Sequence, residues 1–202
     1  MKLYYTPGAC SQAPHIALSE AGAAFEAVKV DLAAKKLADG TDYRSVNHKG
    51  AVPALELDDG SVLTENAAIL QYIGEQKSDM LPATGMKRYR LLEWLTYIST
   101  ELHKGFGPLW NPSTPEEYKK ATRETLANKF DYLQERLGDA PYLTGDTFSL
   151  ADAYAFVILN WSGMHDIDLS RWPGLTAYVA RIAARPAVRQ VLEAEGLLKQ
   201  PA

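Results

Sequence analysis

The chain of 202 residues has a single cysteine, Cys10. One thiol cannot close an internal disulfide, which excludes a disulfide framework and points to a reducing, cytosolic setting. Long apolar runs are also missing. In the C-terminal half the longest is Ala153 to Leu159, far short of the ~20 residues that a membrane helix needs. The opening Met1-Lys2-Leu3-Tyr4-Tyr5-Thr6-Pro7 lacks the apolar stretch of a secretory signal. Positive charge is not in excess: the net charge is −4, and Lys35-Lys36 and Lys119-Lys120 are only pairs. Neither nucleic acid nor a membrane is therefore an expected partner. Internal repeats and low-complexity tracts are absent from the sequence. What is present, 47% hydrophobic and 23% charged residues, suffices for one large core or two small ones.

The two halves of the chain read differently. Up to about residue 77, strand and helix signals alternate. Met1 to Thr6 reads as a strand ending at Pro7-Gly8, and Ser11 to Ala21 as a helix stopping at Gly22. Pro14 falls in its first turn, where a missing N–H costs little. Phe25 to Leu32 alternates like a strand. Lys35 to Val46 reads as a loop with room for a short helix. Ala54 to Leu57 and Ser61 to Leu63 flank the hairpin signal Asp58-Asp59-Gly60. Thr64 is then the expected N-cap of a helix over Glu65 to Gln76. Residues 78–85 read as a linker. Beyond them strand signals almost vanish, and helices are predicted over Met86 to Phe106, Pro115 to Leu137, Ser149 to Asn160, Trp172 to Ala184 and Pro186 to Glu195. Ser149 and Asp152 make a capping-box variant. The expected class is an α/β N-terminal domain, 1–77, followed by an all-helical domain, 86–202.

Three local features carry chemistry. Cys10 stands at a helix start, where free N–H groups and the helix dipole favour thiolate; a small buried hydrophobe is the competing reading. Val52-Pro53 enters a short strand. A trans proline at a strand's first residue is the commoner form, and a cis bond would expose the preceding backbone to an extended ligand. Glu65 and Asn66 open a helix. They could hold an ammonium and a carboxylate, or serve only as helix-start residues.

In this order, with an all-helical half behind them, these features resemble a cytosolic glutathione transferase. Pro7-Gly8-Ala9-Cys10-Ser11 most resembles the bacterial beta class. His48-Lys49-Gly50-Ala51-Val52-Pro53-Ala54-Leu55, Leu63-Thr64-Glu65, Glu93-Trp94-Leu95, Glu101-Leu102-His103-Lys104-Gly105-Phe106 and Phe148-Ser149-Leu150-Ala151-Asp152-Ala153-Tyr154 carry the resemblance over nearly the whole chain.

The resemblance implies a thioredoxin-like N-terminal domain on a helical domain, usually in a homodimer, and glutathione as co-substrate with no metal. Val52 would pair through its backbone with the cysteinyl part of glutathione, with Pro53 cis. Glu65 and Asn66 would bind the γ-glutamyl end, Lys35 the glycine carboxylate, and Cys10 would face the sulfur. Thr96, Thr100 and His103 share a helical stripe beside a Glu101–Lys104 pair. The resemblance places Thr96, Thr100, Glu101 and His103 at glutathione as well, and makes Cys10, His103 and Lys104 the catalytic set, with His103 and Lys104 acting on the thiol. Thr96 stands where the class often has Asn, and Asn66 where it has a smaller residue. Tyr5 and Ser11 match activating hydroxyls of other classes and are expected to be secondary here; a helix cap is the plain role for Ser11. An acceptor pocket beside Cys10 would draw on Phe106, Leu109, Trp110, Trp161 and His165, although these aromatics read equally well as core.

The expected function is glutathione conjugation to hydrophobic electrophiles. Cys10-dependent disulfide exchange, peroxide reduction or dehalogenation are side activities. The alternative is a non-catalytic binding or regulatory protein on the same fold. A glutaredoxin-like reductase is disfavoured, because Ala13 occupies the place of a second cysteine.

Overall fold

Leu3, Tyr4 and Tyr5 are all buried, so Lys2–Tyr5 (β1) is covered on both faces, as suits the central strand of a sheet. The computed structural model describes residues 1–76, 80–82 and 84–198. The chain after β1 turns at Gly8 and enters α1 (Gln12–Ala21), whose residues from Gln12 to Leu18 are all buried. Gly22 ends it in the left-handed conformation that only glycine adopts at no cost. Next come β2 (Glu26–Asp31), β3 (Lys36–Leu37), a 3₁₀ turn Tyr43–Ser45, β4 (Ala54–Glu56), β5 (Val62–Thr64) and α2 (Asn66–Gln76). The five-stranded sheet runs β3-β2-β1-β4-β5. β1 and β2 are parallel, with Leu3 opposite Ala27, and the other pairs are antiparallel. This is the mixed sheet of a thioredoxin-like domain, as expected. The two-residue β3 was not foreseen, because it is too short to show an alternation.

The second set of elements is helical: α3 (Gly85–Tyr97), a π-helical stretch Ile98–His103, a 3₁₀ turn Lys104–Phe106, α4 (Gly107–Trp110), α5 (Glu116–Leu137), α6 (Leu150–Asn160), a 3₁₀ turn Trp161–Met164 and α7 (Pro173–Ala183). Every residue of α6 from Leu150 to Leu159 is buried, which explains its near-continuous apolar sequence. Its start is fixed by fully buried Asp152, which accepts from the N–H and hydroxyl of Ser149, from Leu143 N–H and from the Tyr178 hydroxyl at 2.6–2.8 Å. Burial pushes this carboxyl upward against the hydrogen bonds that hold it down.

The described residues within Met1–Ala83 and Ala183–Ala202 form one compact unit, and Thr84–Ile182 the other. The division differs from a simple cut at 78–85, of which residues 78, 79 and 83 lie outside the described set. The difference has a physical cause. The last helix, α8 (Pro186–Ala194), packs on α1 in the first unit. Arg185 forks onto Glu20 of α1 at 2.6 and 2.9 Å. Glu195, with its side chain wholly buried, accepts from Gly8 N–H, Gln12 Nε2 and His15 Nδ1 at 2.8–2.9 Å. Among the described residues no helix is long and apolar enough to cross a membrane.

Candidate active site

In the first unit the turn after β1 delivers Cys10 just ahead of α1. Its Sγ–H donates to the carbonyl of Val52 at 3.3 Å. Ser11 does not cap the helix, as the sequence suggested. Its hydroxyl bonds back to Thr6, accepting the N–H at 3.1 Å and donating to the carbonyl at 3.3 Å, which closes the turn. Val52 precedes Pro53 through a cis peptide bond, the form that the resemblance implied. Lys35 Nζ donates to the Gly50 carbonyl at 2.8 Å, one step before the Ala51-Val52 peptide. Gly50 lies in the left-handed region at φ +58°, and a Cβ there would come within 3.3 Å of the Lys35 stem.

Glu65, at φ +74°, follows β5 and opens α2, its carbonyl accepting from Ile69. Thr64 is therefore not the cap. Its hydroxyl accepts instead from Lys49 Nζ at 2.8 Å, while the same ammonium pairs with the Glu65 carboxylate at 2.5 Å. Asn66 is buried and its amide donates to the Cys10 carbonyl at 3.0 Å. Its Oδ1 has no hydrogen-bond partner among the described residues. Asn66 thus ties the start of α2 to the cysteine turn.

The thiol departs from the expectation. Cys10 is half-buried, yet desolvation of its sulfur dominates and pushes it up to about 12. Hydrogen bonding from Asn66 and from the backbone at Cys10 and Ser11 pulls it down, and the Glu65 carboxylate pushes it slightly up again. The helix-start effect is present but smaller than the loss of water. Tyr5 is buried against the His15 ring, and burial raises its phenol, so it offers no ready phenolate.

In the second unit the predicted helix Met86 to Phe106 is α, then π, then 3₁₀. A π turn holds more residues than an α turn, so the stripe of Thr96, Thr100 and His103 does not stay aligned. Thr96 and Thr100 are exposed, and the Thr100 hydroxyl donates to the Thr96 carbonyl at 3.0 Å. His103 is half-buried with Nδ1 2.6 Å from the Tyr154 hydroxyl and its ring edge-on to Trp161 at 5.1 Å. Glu101 pairs with Lys129 at 2.8 Å and not with Lys104, which is exposed.

The aromatic set is a stack. Phe106 and Trp161 meet edge-on at 5.7 Å, Trp110 and Trp161 at 5.3 Å, Trp110 and His165 at 4.2 Å. Phe106, Leu109 and Trp161 are buried, so the core reading holds for them, while Trp110 keeps 48% of its surface. Desolvation, and then Arg123, lower His165, with Asp166 acting the other way. Among the described residues no group of three or more His, Cys, Asp or Glu is placed to hold a metal.

Comparison with known proteins gives this geometry its context. The family profile "Glutathione S-transferase, N-terminal domain" matches residues 1–75 and "Glutathione S-transferase, C-terminal domain" matches residues 97–186. The chain belongs to the glutathione S-transferase family. It is 48% identical to glutathione S-transferase GstA of Escherichia coli O157:H7, over 98% of this chain and all of that one. A sphingomonad glutathione S-transferase solved in complex with glutathione superposes with a TM-score of 0.94 at 50% identity, over 98% of this chain and all of the other. A beta-class glutathione S-transferase of Sphingomonas chungbukensis gives 0.94 at 49% over the same shares. The expected kinship with the bacterial beta class is borne out.

For this transferase, the structure gathers Cys10, Lys35, Val52, Pro53, Glu65 and Asn66 around one turn and one strand start in the first unit. Thr96, Thr100, Glu101, His103 and Lys104 lie on one helical run of the second. Sequence reasoning missed Lys49, Asn47, Tyr43, Tyr154 and Glu195. Lys49 stands inside a quoted motif and could have been weighed against Glu65. Nothing local marks Glu195, which acts across 180 residues on His15.

Proposed function

We propose that this transferase binds glutathione as an extended ligand along Ala51-Val52 and conjugates its thiolate to hydrophobic electrophiles. The observation that carries the reading is the convergence on Val52. The Cys10 thiol meets its carbonyl at 3.3 Å, Lys35 sits one peptide away, and the Glu65-Asn66 helix start is tied to the Cys10 turn. Glu65 and Asn66 take the γ-glutamyl end and Lys35 the glycine carboxylate. Thr96, Thr100, Glu101, His103 and Lys104 form a polar run along one helical stretch of the second unit. Phe106, Leu109, Trp161 and His165 back the exposed Trp110, which offers an apolar face to the electrophile.

The high thiol of Cys10 supports one division of roles. Protonated Cys10 serves as an S–H donor toward sulfur, and glutathione is the attacking nucleophile. The glutathione thiol gives up its proton to solvent, the new S–C bond forms at the electrophilic carbon, and the leaving group departs as an anion with the electron pair of the broken bond. Disulfide exchange, peroxide reduction and dehalogenation are secondary on this reading. The protein works as a homodimer in the cytoplasm.

The test is calorimetric titration of reduced glutathione into the native protein and Cys10→Ala, followed by turnover of 1-chloro-2,4-dinitrobenzene. Binding to both, with conjugation retained in Cys10→Ala, is expected. Absence of glutathione binding to the native protein would overturn the reading, and binding without turnover of any electrophile would favour the non-catalytic alternative.

A further inference from the structure

The carbonyl of Ala51 accepts two side-chain hydrogen bonds, from Asn47 Nδ2 at 2.7 Å and from the Tyr43 hydroxyl at 3.0 Å. Ala51 itself is exposed, whereas Tyr43 and Asn47 are buried at 0% and 5% exposure. Two interior donors therefore reach outward to hold one peptide of a surface strand start. The Ala51–Val52 bond is trans, since Val52–Pro53 is the one cis bond among the described residues. In a trans peptide the C=O and the following N–H point in opposite directions. Pinning the Ala51 carbonyl toward Asn47 and Tyr43 therefore aims the Val52 N–H the other way.

The two donors are themselves fixed. Asn47 Oδ1 accepts from Lys49 N–H at 3.1 Å, which settles which end of the amide faces Ala51. The Asn47 carbonyl accepts from Gly50 N–H at 2.7 Å, closing the loop on itself. Tyr43 heads the 3₁₀ turn, with its N–H on the Lys35 carbonyl at 2.8 Å. Its ring lies in the same core cluster as the Val52 side chain. Burial raises its phenol to about 12, so it remains a donor at every working pH.

We propose that Asn47 and Tyr43 are positioning residues of this transferase: they orient the Ala51–Val52 peptide so that the Val52 N–H is presented to the cysteinyl carbonyl of glutathione. Neither touches the ligand. This rests on the reading that glutathione lies along Val52. A donor that acts only through peptide orientation changes ground-state and transition-state binding of glutathione alike. Its loss raises Kd and KM for glutathione and leaves kcat and the KM for the electrophile in place.

The test uses full-length Tyr43→Phe, which keeps the ring, and Asn47→Ala, singly and together. Each single variant is expected to raise the glutathione Kd and KM by about 2- to 10-fold, the equivalent of one lost hydrogen bond. The double variant is expected to raise them further, with kcat on 1-chloro-2,4-dinitrobenzene within about twofold. The Val52 amide, followed by ¹H–¹⁵N correlation spectra, is expected to shift less at saturating glutathione in the double variant than in the native protein. Failure of the native protein to bind glutathione overturns the underlying reading and this one with it. Binding by the native protein, with unchanged Kd and an unchanged Val52 amide shift in Tyr43→Phe, overturns the positioning role alone, whatever the variant's melting temperature. Should Asn47→Ala fail to fold, Tyr43→Phe decides.

Discussion

The protonated Cys10 can be tested directly, because it is the only thiol in the chain. With its thiol pushed up to about 12 by burial, the thiolate fraction at pH 8 is about 10⁻⁴, against about a quarter for an ordinary thiol near 8.5. The difference is about three orders of magnitude in reactive species. Part of it is recovered, because a more basic thiolate is a better nucleophile: a Brønsted slope of ~0.45 over ~3.5 units returns about 1.5 orders. The net expectation is a reaction with 4,4′-dithiodipyridine about 50- to 100-fold slower than a small thiol at pH 8. The rate should rise nearly tenfold per pH unit from 6 to 10 without a plateau. The sign follows from the protonation state: the reactive form gains with every unit of pH until the raised value is reached. Stopped-flow traces at 324 nm on the native protein, with Cys10→Ala as blank, read the whole profile. A plateau below pH 8 would refute the reasoning and restore the thiolate that the helix start alone suggests.

Three further outcomes follow from the geometry. Asp152→Ala strands the four donors of Ser149, Leu143 and Tyr178; a loss of at least ~3 kcal/mol is expected, or about 6–12 °C in thermal midpoint, and a shift under 2 °C would show that the bonds are replaced by water. Glu195→Gln turns one acceptor into a donor facing Gly8, Gln12 or His15; a loss of about 1–3 kcal/mol in urea unfolding is expected, with slower-exchanging amides of α1 losing protection, and unchanged protection there would exclude the bridge. Lys49→Ala frees the Glu65 carboxylate from its ammonium; glutathione should bind about two- to threefold more tightly at low salt, an effect of surface-pair size, whereas weaker binding would place Lys49 on the ligand.

How much of this could be read from the residues depends on range in sequence. β1, α1, β2, the Asp58-Asp59-Gly60 hairpin and the α6 capping box all declare themselves within a few residues, and the structure has them where they were expected. The errors fall where the folded chain supplies a partner or a helix geometry that the local pattern does not show. Thr64 looks like a cap until Lys49 takes its hydroxyl, and Ser11 until Thr6 does. The stripe at Thr96, Thr100 and His103 presumes α-helical spacing, which the π stretch breaks. Glu101 has a suitable partner at Lys104 but is claimed by Lys129 from α5.

Cys10 shows the same rule within the candidate site, and with a change of sign. Everything local to it, the helix start and the backbone at Cys10 and Ser11, acts to lower the thiol. Burial outweighs those effects, and the carbonyl that the thiol meets, that of Val52, lies 42 residues away in sequence. Local pattern can therefore identify where a reactive group stands, since backbone turns and helix starts are short-range structures. Its protonation state is set by how much water the fold removes, which is a sum over long-range packing. The place of Cys10, Val52 and Glu65 in the fold was accordingly legible, while the protonation state of the thiol was not. On the proposed function, the thiol left protonated is a donor and the nucleophile arrives with the ligand.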